Sequence, residues 1–330
     1  MSADVLHDRF FLLLLGLAID ALFGEMPPLF AVVPHPVVLA GRAVMLLERK
    51  LNRPRRVRRR RARGIITVAV LVGGSAALGW ALHVLCRGSL AGAGVEALAV
   101  GILIAQRSLS MHVAAVATAL RCGGIAAGRD AVRHIVGRDP ARLDAAGVAR
   151  AAIESLAENF SDAVVAPAFW YLLLGLPGLF AYKMANTLDS MLGHRSPRYL
   201  AFGWAAARFD DLVNWAPARL SGALIAAAAA FAGNATAGRS FAVMLRDAHK
   251  HASPNAGWPE AAMAGALDIA LAGPRVYAEG PVNDPWLGDG TQAAGPADIG
   301  RALRLYALAG RLLAGLIAGV FLAAHIMRRG

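Results

Sequence analysis

Apolar residues dominate the chain in blocks separated by polar segments, and their spacing within the blocks is typical of helices. In the longest uninterrupted block, Ile65 to Leu85, 21 residues carry no formal charge. At about 1.5 Å per residue, such a helix crosses the roughly 30 Å hydrocarbon core of a bilayer. A second block, 306–327, reaches the same length if Arg311 extends towards the membrane interface. We predict transmembrane helices at 65–85 and 306–327.

Four further apolar blocks are shorter, contain an acid or are interrupted. Asp20 would be unfavourable at the centre of a bilayer, so we expect it near an interface or facing protein. In another block, Pro167 and a Gly-Leu-Pro-Gly turn interrupt the apolar run, as in broken or re-entrant helices. These weaker candidate spans are 10–24, 90–106, 163–182 and 217–233.

The chain shows no period-two pattern that would indicate strands and no internal repeat. We therefore predict a single membrane domain over residues 1–330 with an all-α fold. It is expected to be a polytopic integral membrane protein with about 4–5 transmembrane or half-membrane helices. The polar helical loops between the apolar blocks are expected to form the active site.

Composition and charge agree with residence in lipid. The chain is 57% hydrophobic and 17% charged, whereas soluble domains average about 25% charged residues. The net charge of +12 could indicate a nucleic-acid partner, but Arg49 to Arg63 alone holds nine arginines and one lysine without an acid. A short basic segment beside an apolar helix is typical of cytoplasmic loops. The charge therefore predicts orientation in the membrane and no binding of nucleic acid.

The polar block 107–162 ends in an acidic segment, AAIESLAENFSD. Glu154, Glu158 and Asp162 follow one another at intervals of four residues, which places them on one face of a helix. Acids that repel one another beside an apolar run suit a compensating cation such as magnesium. Taken alone, the pattern favours a solvated acidic face over a metal site, so both interpretations stay open.

The polar block 183–214 mixes acids with arginines. Guanidinium groups match the oxygens of phosphate, and paired aspartates suit magnesium that bridges phosphates. The mixture predicts a phosphorylated ligand, although a salt-bridged linker in water would have the same composition. The residues concerned are Asp189, His194, Arg195, Arg198, Arg208, Asp210 and Asp211.

The polar block 234–304 contains RDAHKHASPNAGWPEAA. Pro254 and Pro259 predict a rigid turn that presents side chains in fixed directions. An ordinary connecting loop would explain the prolines but not the density of polar side chains, so a functional turn is favoured. The candidate residues in it are His249, Lys250, His251, Asn255 and Glu260.

Several well-known catalytic and nucleotide-binding motifs are missing from the sequence. It contains no GxxxxGK[ST] loop, no HExxH, no GxSxG and no strand-bounded GxGxxG, so the standard nucleotide-binding folds are not supported. Cys86 and Cys122 form no CxxC motif and are interpreted as reduced thiols.

Taken in order along the chain, the motifs resemble the CobD/CbiB family of cobalamin biosynthesis, adenosylcobinamide-phosphate synthase. The resemblance extends from residue 20 to residue 290, nearly the whole chain. It rests on D-x-x-x-G with HPV at Asp20, Gly24 and His35 to Val37, on ENFSD at Glu158 to Asp162, on NTLDSM at Asn186 to Met191, on FGWAAARFDDLVNW-x-PARL at Phe202 to Leu220, on SPNAGWPEAAMAGAL at Ser253 to Leu267, and on PWLGDG at Pro285 to Gly290.

The resemblance implies a reaction: ATP-dependent amide formation between adenosylcobyric acid and (R)-1-amino-2-propanol or its O-phosphate. The corrinoid is then a substrate, the product is adenosylcobinamide or its phosphate, and ATP and Mg²⁺ are the expected cofactors. It also implies a multi-pass protein of the inner membrane whose active site faces the cytoplasm. Besides lipid, other membrane-associated enzymes of cobalamin assembly are expected partners.

The resemblance and the residue types together suggest roles for the polar residues. The magnesium ion and nucleotide phosphates are assigned to Glu158, Asp162, Asp210 and Asp211. Phosphate and cofactor binding is assigned to Asp189, Arg195, Arg198, Arg208 and His249. The carboxylate and the amine are expected to be oriented by Lys250, Asn255 and Glu260, with Glu260 or a histidine as the base.

Two other functions stay open at this point. One is a membrane sensor without catalysis, since a distant relative of the family is linked to beta-lactamase induction. The other is a transporter, which would line a pore with the polar residues. The sensor relative is expected to lack the SPNAGWPEAA and FDDLVNW segments that are intact here. Clustering of the three polar blocks in one pocket on one membrane face would argue against both alternatives.

Overall fold

The computed structural model describes residues 8–54, 56–136, 140–194, 196–231, 237–277 and 280–327. The chain is 79% helical, which confirms the all-α prediction. Its helices are α1 (Arg9–Phe23), α2 (Pro27–Phe30), α3 (Pro36–Leu51), α4 (Val57–Cys86), α5 (Leu90–Leu103), α6 (Gln106–Val132), α7 (Ala145–Phe160), α8 (Ala166–Leu174), α9 (Leu176–Leu192), α10 (Trp204–Val213), α11 (Trp215–Ala229), α12 (Ala237–Asp247), α13 (Gly257–Leu267) and α14 (Pro296–Met327).

Two compact units make up the chain, and each draws on separate stretches of sequence. The first unit contains the described residues up to Ala105, then Ala166–Asn214, then the described residues from Val320 onward. The second contains Gln106–Val165 and Trp215–Gly319. Because the units are interleaved in sequence, no linear boundary separates them. The prediction of one domain over 1–330 stays a prediction.

Each unit is built around a buried helix. In the first unit α9 packs against α3, α4 and α10, and Val44, Leu188 and Phe202 form part of the core there. In the second unit α13 packs against α7, α11 and α12. Ten of its eleven residues are buried, and Trp258 is the partly exposed exception. The polar motifs of the sequence lie on or beside these two helices.

Three segments are long and apolar enough to cross a membrane: Val57–Cys86, Leu90–Val132 and Pro296–Met327. The first and third contain the predicted spans 65–85 and 306–327, and only 17% of the most apolar window in each is buried. Such exposed apolar surface is unfavourable in water and is satisfied by lipid. The chain therefore has the features of a membrane protein.

The weak span 90–106 lies within the candidate membrane segment Leu90–Val132, whereas two other weak spans form short helices. The segments 10–24 and 217–233 correspond to α1 and α11, each of 15 residues, which reach only about 22 Å at 1.5 Å per residue. Neither is long enough to cross a bilayer core alone. Asp20 of α1 is 1% exposed, which confirms that it faces protein.

The interrupted block 163–182 is helical on both sides of one break. A π-helical turn, Ser161–Val165, joins α7 to α8, so the helix continues through Pro167 and the expected interruption there is wrong. The wider turn accommodates a proline, which has no backbone N–H to donate. The chain breaks instead at Gly175, which has φ +69°, a conformation that favours glycine. This confirms the break predicted at the Gly-Leu-Pro-Gly turn.

A two-stranded antiparallel hairpin was not predicted. Its strands are β1 (Leu271–Tyr277) and β2 (Gly280–Leu287), and their register shifts between Ala272 and Pro274. Both Ala272 and Gly273 have positive φ. This bulge and the proline remove the regular alternation by which strands are recognised in a sequence.

Candidate functional site

Asp210 is a buried acid on α10, with a side chain that is 8% exposed. Its Oδ2 accepts a hydrogen bond of 2.9 Å from Nδ2 of Asn214, one turn later. Oδ1 of Asn214 accepts one of 3.0 Å from the hydroxyl of Tyr182 on α9. Among the residues that the structure describes, none donates a hydrogen bond to Oδ1 of Asp210. The two helices thus fix the orientation of a buried carboxyl group through one of its two oxygens.

Burial and neighbouring charge make ionisation of this carboxyl group unfavourable. Burial raises the pKa of Asp210 to about 7, and the charge of Asp189 adds to the effect. Burial, followed by the charge of Asp211, also raises the pKa of Asp189. A cation beside the two groups would favour their ionised forms. Carboxylate oxygens are the ligands that magnesium prefers, so the donor chemistry of these two groups is of the right kind for that ion.

The predicted set of four magnesium ligands is divided between the units. Glu158 and Asp162 belong to the second unit, and Asp210 and Asp211 belong to the first. In the described ranges, no three or more His, Cys, Asp or Glu side chains are placed to hold a metal ion. Magnesium commonly binds one or two protein carboxylates and completes its shell with water and substrate phosphates. Ligation by the full set of four stays a prediction.

The predicted phosphate-binding arginines differ in their surroundings. Nη1 of Arg208 lies 3.3 Å from Oδ2 of Asp211, and the Arg208 side chain is largely exposed. Arg198 instead binds the buried Glu48 with two parallel hydrogen bonds of 3.0 Å. Because that carboxylate occupies its guanidinium fork, Arg198 holds the 196–200 turn to α3, a role that the sequence did not reveal. Arg195 lies outside the described residues.

The three acids of the 107–162 block differ in exposure, so they do not form one solvated acidic surface. Glu154 is 5% exposed, and its Oε1 accepts a 2.8 Å hydrogen bond from the backbone N–H of Ala272 at the hairpin. Glu158 is exposed, while Asp162 is half-buried within the π-helical turn. That turn changes the helical register after Glu158. Glu154 therefore has a structural role, and only Glu158 and Asp162 remain candidate ligands.

Lys250, predicted to act on substrate, is an ion-pair partner of Asp247. Its Nζ lies 2.6 Å from Oδ1 of Asp247, which is fully buried and also accepts two hydrogen bonds from Arg246, of 2.8 and 2.7 Å. The backbone N–H of Gly288 donates a fourth, of 2.8 Å. Arg246, Lys250 and Gly288 together hold the pKa of Asp247 well below its usual range. His249 is exposed on the 3₁₀ turn Ala248–Lys250.

The turn 251–260 is constrained, as its prolines predicted. Oγ of Ser253 accepts hydrogen bonds of 3.2 Å from the backbone N–H groups of Asn255 and Ala256. A Cβ at Gly257 would lie 2.1 Å from the carbonyl oxygen of Ala248, so only glycine fits. The turn places two buried polar residues, Asn255 at 6% and Glu260 at 3% exposure. Nε2 of His251 lies 3.7 Å from Oε1 of Glu260.

Arg219 on α11 contacts the same turn and was not among the predicted site residues. Its guanidinium carbon lies 4.3 Å from the ring centroid of Trp215 and 4.5 Å from that of Trp258. Its Nη1 donates hydrogen bonds to the backbone oxygen of Trp215 at 2.6 Å and to Oδ1 of Asn255 at 3.4 Å. The i, i+4 spacing of Trp215 and Arg219 indicates this stacking in the sequence, whereas the contact with the distant turn has no sequence signal.

Known proteins resemble the chain over most of its length. The model of the CobD/Cbib protein family matches residues 13–306. A protein of Sinorhizobium sp named cobalamin biosynthesis protein CobD is 50% identical over 314 residues, which cover 94% of this chain and 97% of the relative. Proteins of the same name are 49% identical in Brucella suis, covering 94% and 96%, and 46% identical in Rhodobacter capsulatus, covering 93% and 96%. No solved structure matches the chain.

Proposed function

The chain belongs to the CobD/CbiB family of cobalamin-biosynthesis enzymes, and we propose that it joins adenosylcobyric acid to (R)-1-amino-2-propanol or its O-phosphate in an ATP-dependent amide formation. The observation that carries the proposal is the buried carboxyl group of Asp210 within the FDDLVNW motif. A buried acid with a raised pKa is typical of functional sites. The product is adenosylcobinamide or its phosphate.

The reaction needs activation of a carboxylate, because a free carboxylate does not react with an amine at neutral pH. A carboxylate oxygen attacks ATP and takes either its γ-phosphoryl group, which releases ADP, or its adenylyl group, which releases pyrophosphate; the acyl phosphate or acyl adenylate so formed carries a leaving group. The amine then attacks the acyl carbon, forms the C–N bond, and releases phosphate or AMP with one oxygen of the original carboxylate. The enzyme must neutralise phosphate charge and accept a proton from the incoming ammonium group.

Each unit, taken by itself, holds residues suited to one of these tasks: the first unit has candidates for neutralising phosphate charge, and the second has candidates for accepting a proton. Asp189 and Asp210 would hold the magnesium ion, which neutralises phosphate charge when bound, and the largely exposed Arg208 would add a further positive charge. In the second unit, Asn255 would donate a hydrogen bond from Nδ2 to the carboxylate of the substrate. Glu260, with His251 beside it, would accept the proton. These roles agree with residue type, burial and the constrained turn.

The direct test is an assay of the purified protein in detergent with ATP, Mg²⁺, adenosylcobyric acid and each form of the amine. We expect a product with the mass of adenosylcobinamide or its phosphate, together with ATP consumption in equal amount. Parallel reactions without ATP and without amine are the controls. Absence of product with both amines would contradict the proposal and favour the sensor, whereas transport of corrinoid into vesicles without conversion would favour the transporter.

We further propose that the protein lies in the inner membrane with the basic segment 49–63 on the cytoplasmic side. Five exposed cations lie between the last turn of α3 and the first turn of α4, which is the arrangement expected of a cytoplasmic flank: Arg49, Lys50, Arg53, Arg58 and Arg59. A cysteine introduced at Arg53 should be labelled by an impermeant maleimide in inverted vesicles and protected in intact cells. The reverse pattern would contradict this orientation. The native exposed Cys122 is replaced by serine in the background.

A further inference from the structure

Arg219 is held in one orientation by four contacts within the second unit. The guanidinium lies over the indole rings of Trp215 and Trp258, at 4.3 and 4.5 Å from their centroids. Its Nη1 donates to the backbone oxygen of Trp215 and to Oδ1 of Asn255. Planar stacking on aromatic rings is favourable for arginine and restricts the rotation of its side chain. The group is thus pre-organised before any ligand binds.

The same contacts leave one edge of the guanidinium available. Nη1 carries two hydrogens, and the two hydrogen bonds above use both. Among the described residues, Nε and Nη2 of Arg219 have no hydrogen-bond acceptor, and the side chain is only partly buried. The N–H groups of Nε and Nη2 point in parallel, which is the geometry that binds two oxygens of one carboxylate or phosphate.

The position of Arg219 relates it to the candidate site. Asn255, to which it donates, lies in the constrained turn with Glu260, and Trp258 belongs to the same turn. No acid is ion-paired with Arg219 among the described residues. By contrast, Nε and Nη2 of Arg198 both donate to the carboxylate of Glu48. The same two groups of Arg246 donate to the carboxylate of Asp247. Arg219 is therefore a stacked arginine with an unused fork beside two buried polar side chains.

We propose that Arg219 is a substrate-binding residue that takes an oxyanion, a carboxylate or a phosphate, through its Nε and Nη2 edge. The inference rests on the proposed function for the identity of the substrates. The oxyanion belongs to adenosylcobyric acid, to ATP or to the phosphorylated amine, and the experiment distinguishes the three. Trp215 and Trp258 position the guanidinium and do not contact the oxyanion.

The test compares wild-type protein with Arg219→Gln and Arg219→Lys in detergent. Equilibrium binding of adenosylcobyric acid, ATP and aminopropanol phosphate is measured separately, and then KM and kcat are measured for each. We expect Arg219→Gln to weaken binding of one of the three by roughly tenfold to a hundredfold, the usual effect of losing a charge-assisted pair. Arg219→Lys keeps the charge but not the fork, and should recover only part of the loss.

Arg150 provides a matched control in the same unit. Its guanidinium lies 5.4 Å from the ring centroid of Trp286 and it donates to the backbone oxygen of Gln292, so Arg150→Gln removes a stacked arginine away from the turn 251–260. This variant should bind all three substrates as the wild type does. Size-exclusion profiles and apparent Tm establish that the variants are folded. If Arg219→Gln does not fold, the binding comparison is made with Arg219→Lys.

The outcomes separate this inference from the proposed function. Dissociation constants of all three substrates within twofold of wild type in both Arg219 variants would overturn the role of Arg219, whatever the turnover. An equal loss of binding in Arg150→Gln would overturn it as well. A wild-type protein that binds a substrate but forms no amide would contradict the proposed function. The ratio between the dissociation constants of the Arg219 variants and of wild type would still decide the role of Arg219.

Discussion

Replacing Asp210 by asparagine is expected to lower amide formation by about a hundredfold or more while raising the stability of the protein at alkaline pH. The substitution keeps the shape of the side chain and its hydrogen bond with Asn214, and it removes the charge that would hold the magnesium ion. Loss of one pre-organised electrostatic group in an active site usually lowers turnover by about 10²- to 10³-fold. Opposite effects on activity and stability are typical of functional residues.

The stability effect follows from the direction of the pKa shift. The pKa of Asp210 is raised from 3.8 to about 7 in the folded protein, so the folded state binds the proton more tightly than the unfolded state. Stability from this group is complete below about pH 4 and is lost as the pH rises to about 7. Asparagine stays neutral throughout. Without magnesium, wild-type protein should lose more apparent Tm between pH 5 and pH 8 than Asp210→Asn does.

The effect on stability is measured by thermal unfolding in detergent with EDTA. The effect on activity is measured as product formation with Mg²⁺. Asp130→Asn is the matched control because Asp130 is exposed and, among the described residues, its ion-pair partner is the exposed Arg133; it should leave both quantities unchanged. If Asp210→Asn forms the amide at the wild-type rate, Asp210 is not a functional residue of the site. If Asp210→Asn is less stable than wild type at pH 8, ionisation of the buried Asp210 carboxyl group does not destabilise the folded protein, contrary to this prediction.

Replacing Asp247 by asparagine is expected to have the opposite effect on stability. The carboxylate of Asp247 is 1% exposed and accepts hydrogen bonds from Arg246, Lys250 and Gly288. Removal of one member of a fully buried ion pair destabilises by about 3–5 kcal/mol. Because Arg246 and Lys250 are partly exposed and water screens them, we expect a loss of about 2–4 kcal/mol. Apparent Tm should fall clearly at pH 7.

The pH dependence distinguishes Asp247 from Asp210. The pKa of Asp247 is lowered in the folded protein, so its contribution to stability is present above the unfolded pKa near 4 and is lost as the pH falls below it. At pH 7 the full difference between wild type and Asp247→Asn should appear, and it should shrink below pH 4. Equal Tm values at pH 7 would show that the Asp247 network contributes nothing to the fold.

The membrane helices were predictable because their signal is local. A charge-free run such as 65–85 identifies a span without reference to any partner, and the break at Gly175 follows from a glycine and a proline in sequence. The hairpin at 271–287 was not predictable, because its bulge interrupts the alternation of strands. The π-helical turn at 161–165 also has no distinct composition, although it decides whether Asp162 continues the face of Glu154.

For the candidate site, residue type identified the segments that carry polar side chains, but it did not identify the ion-pair and hydrogen-bond partners of those side chains. Arg198 and Arg208 are equivalent in the sequence, and only the fold places a buried glutamate against Arg198. Lys250 likewise resembles a substrate-binding cation in the sequence, and only the fold places its Nζ 2.6 Å from Oδ1 of Asp247. Pairing across long stretches of sequence depends on tertiary packing, which no local pattern contains. The same reason explains why Arg219 was missed.

The central claim, ATP-dependent amide formation, is tested most directly with adenosylcobyric acid labelled with ¹⁸O in its reactive carboxylate. If ATP activates that carboxylate, one labelled oxygen leaves it for each amide formed. The proposed function predicts ¹⁸O in inorganic phosphate or AMP in equal amount to the amide, with label transfer and amide formation both about a hundredfold slower in Asp210→Asn. Amide formation in which the departing ¹⁸O appears in water and not in phosphate or AMP, or no amide at all, would contradict it.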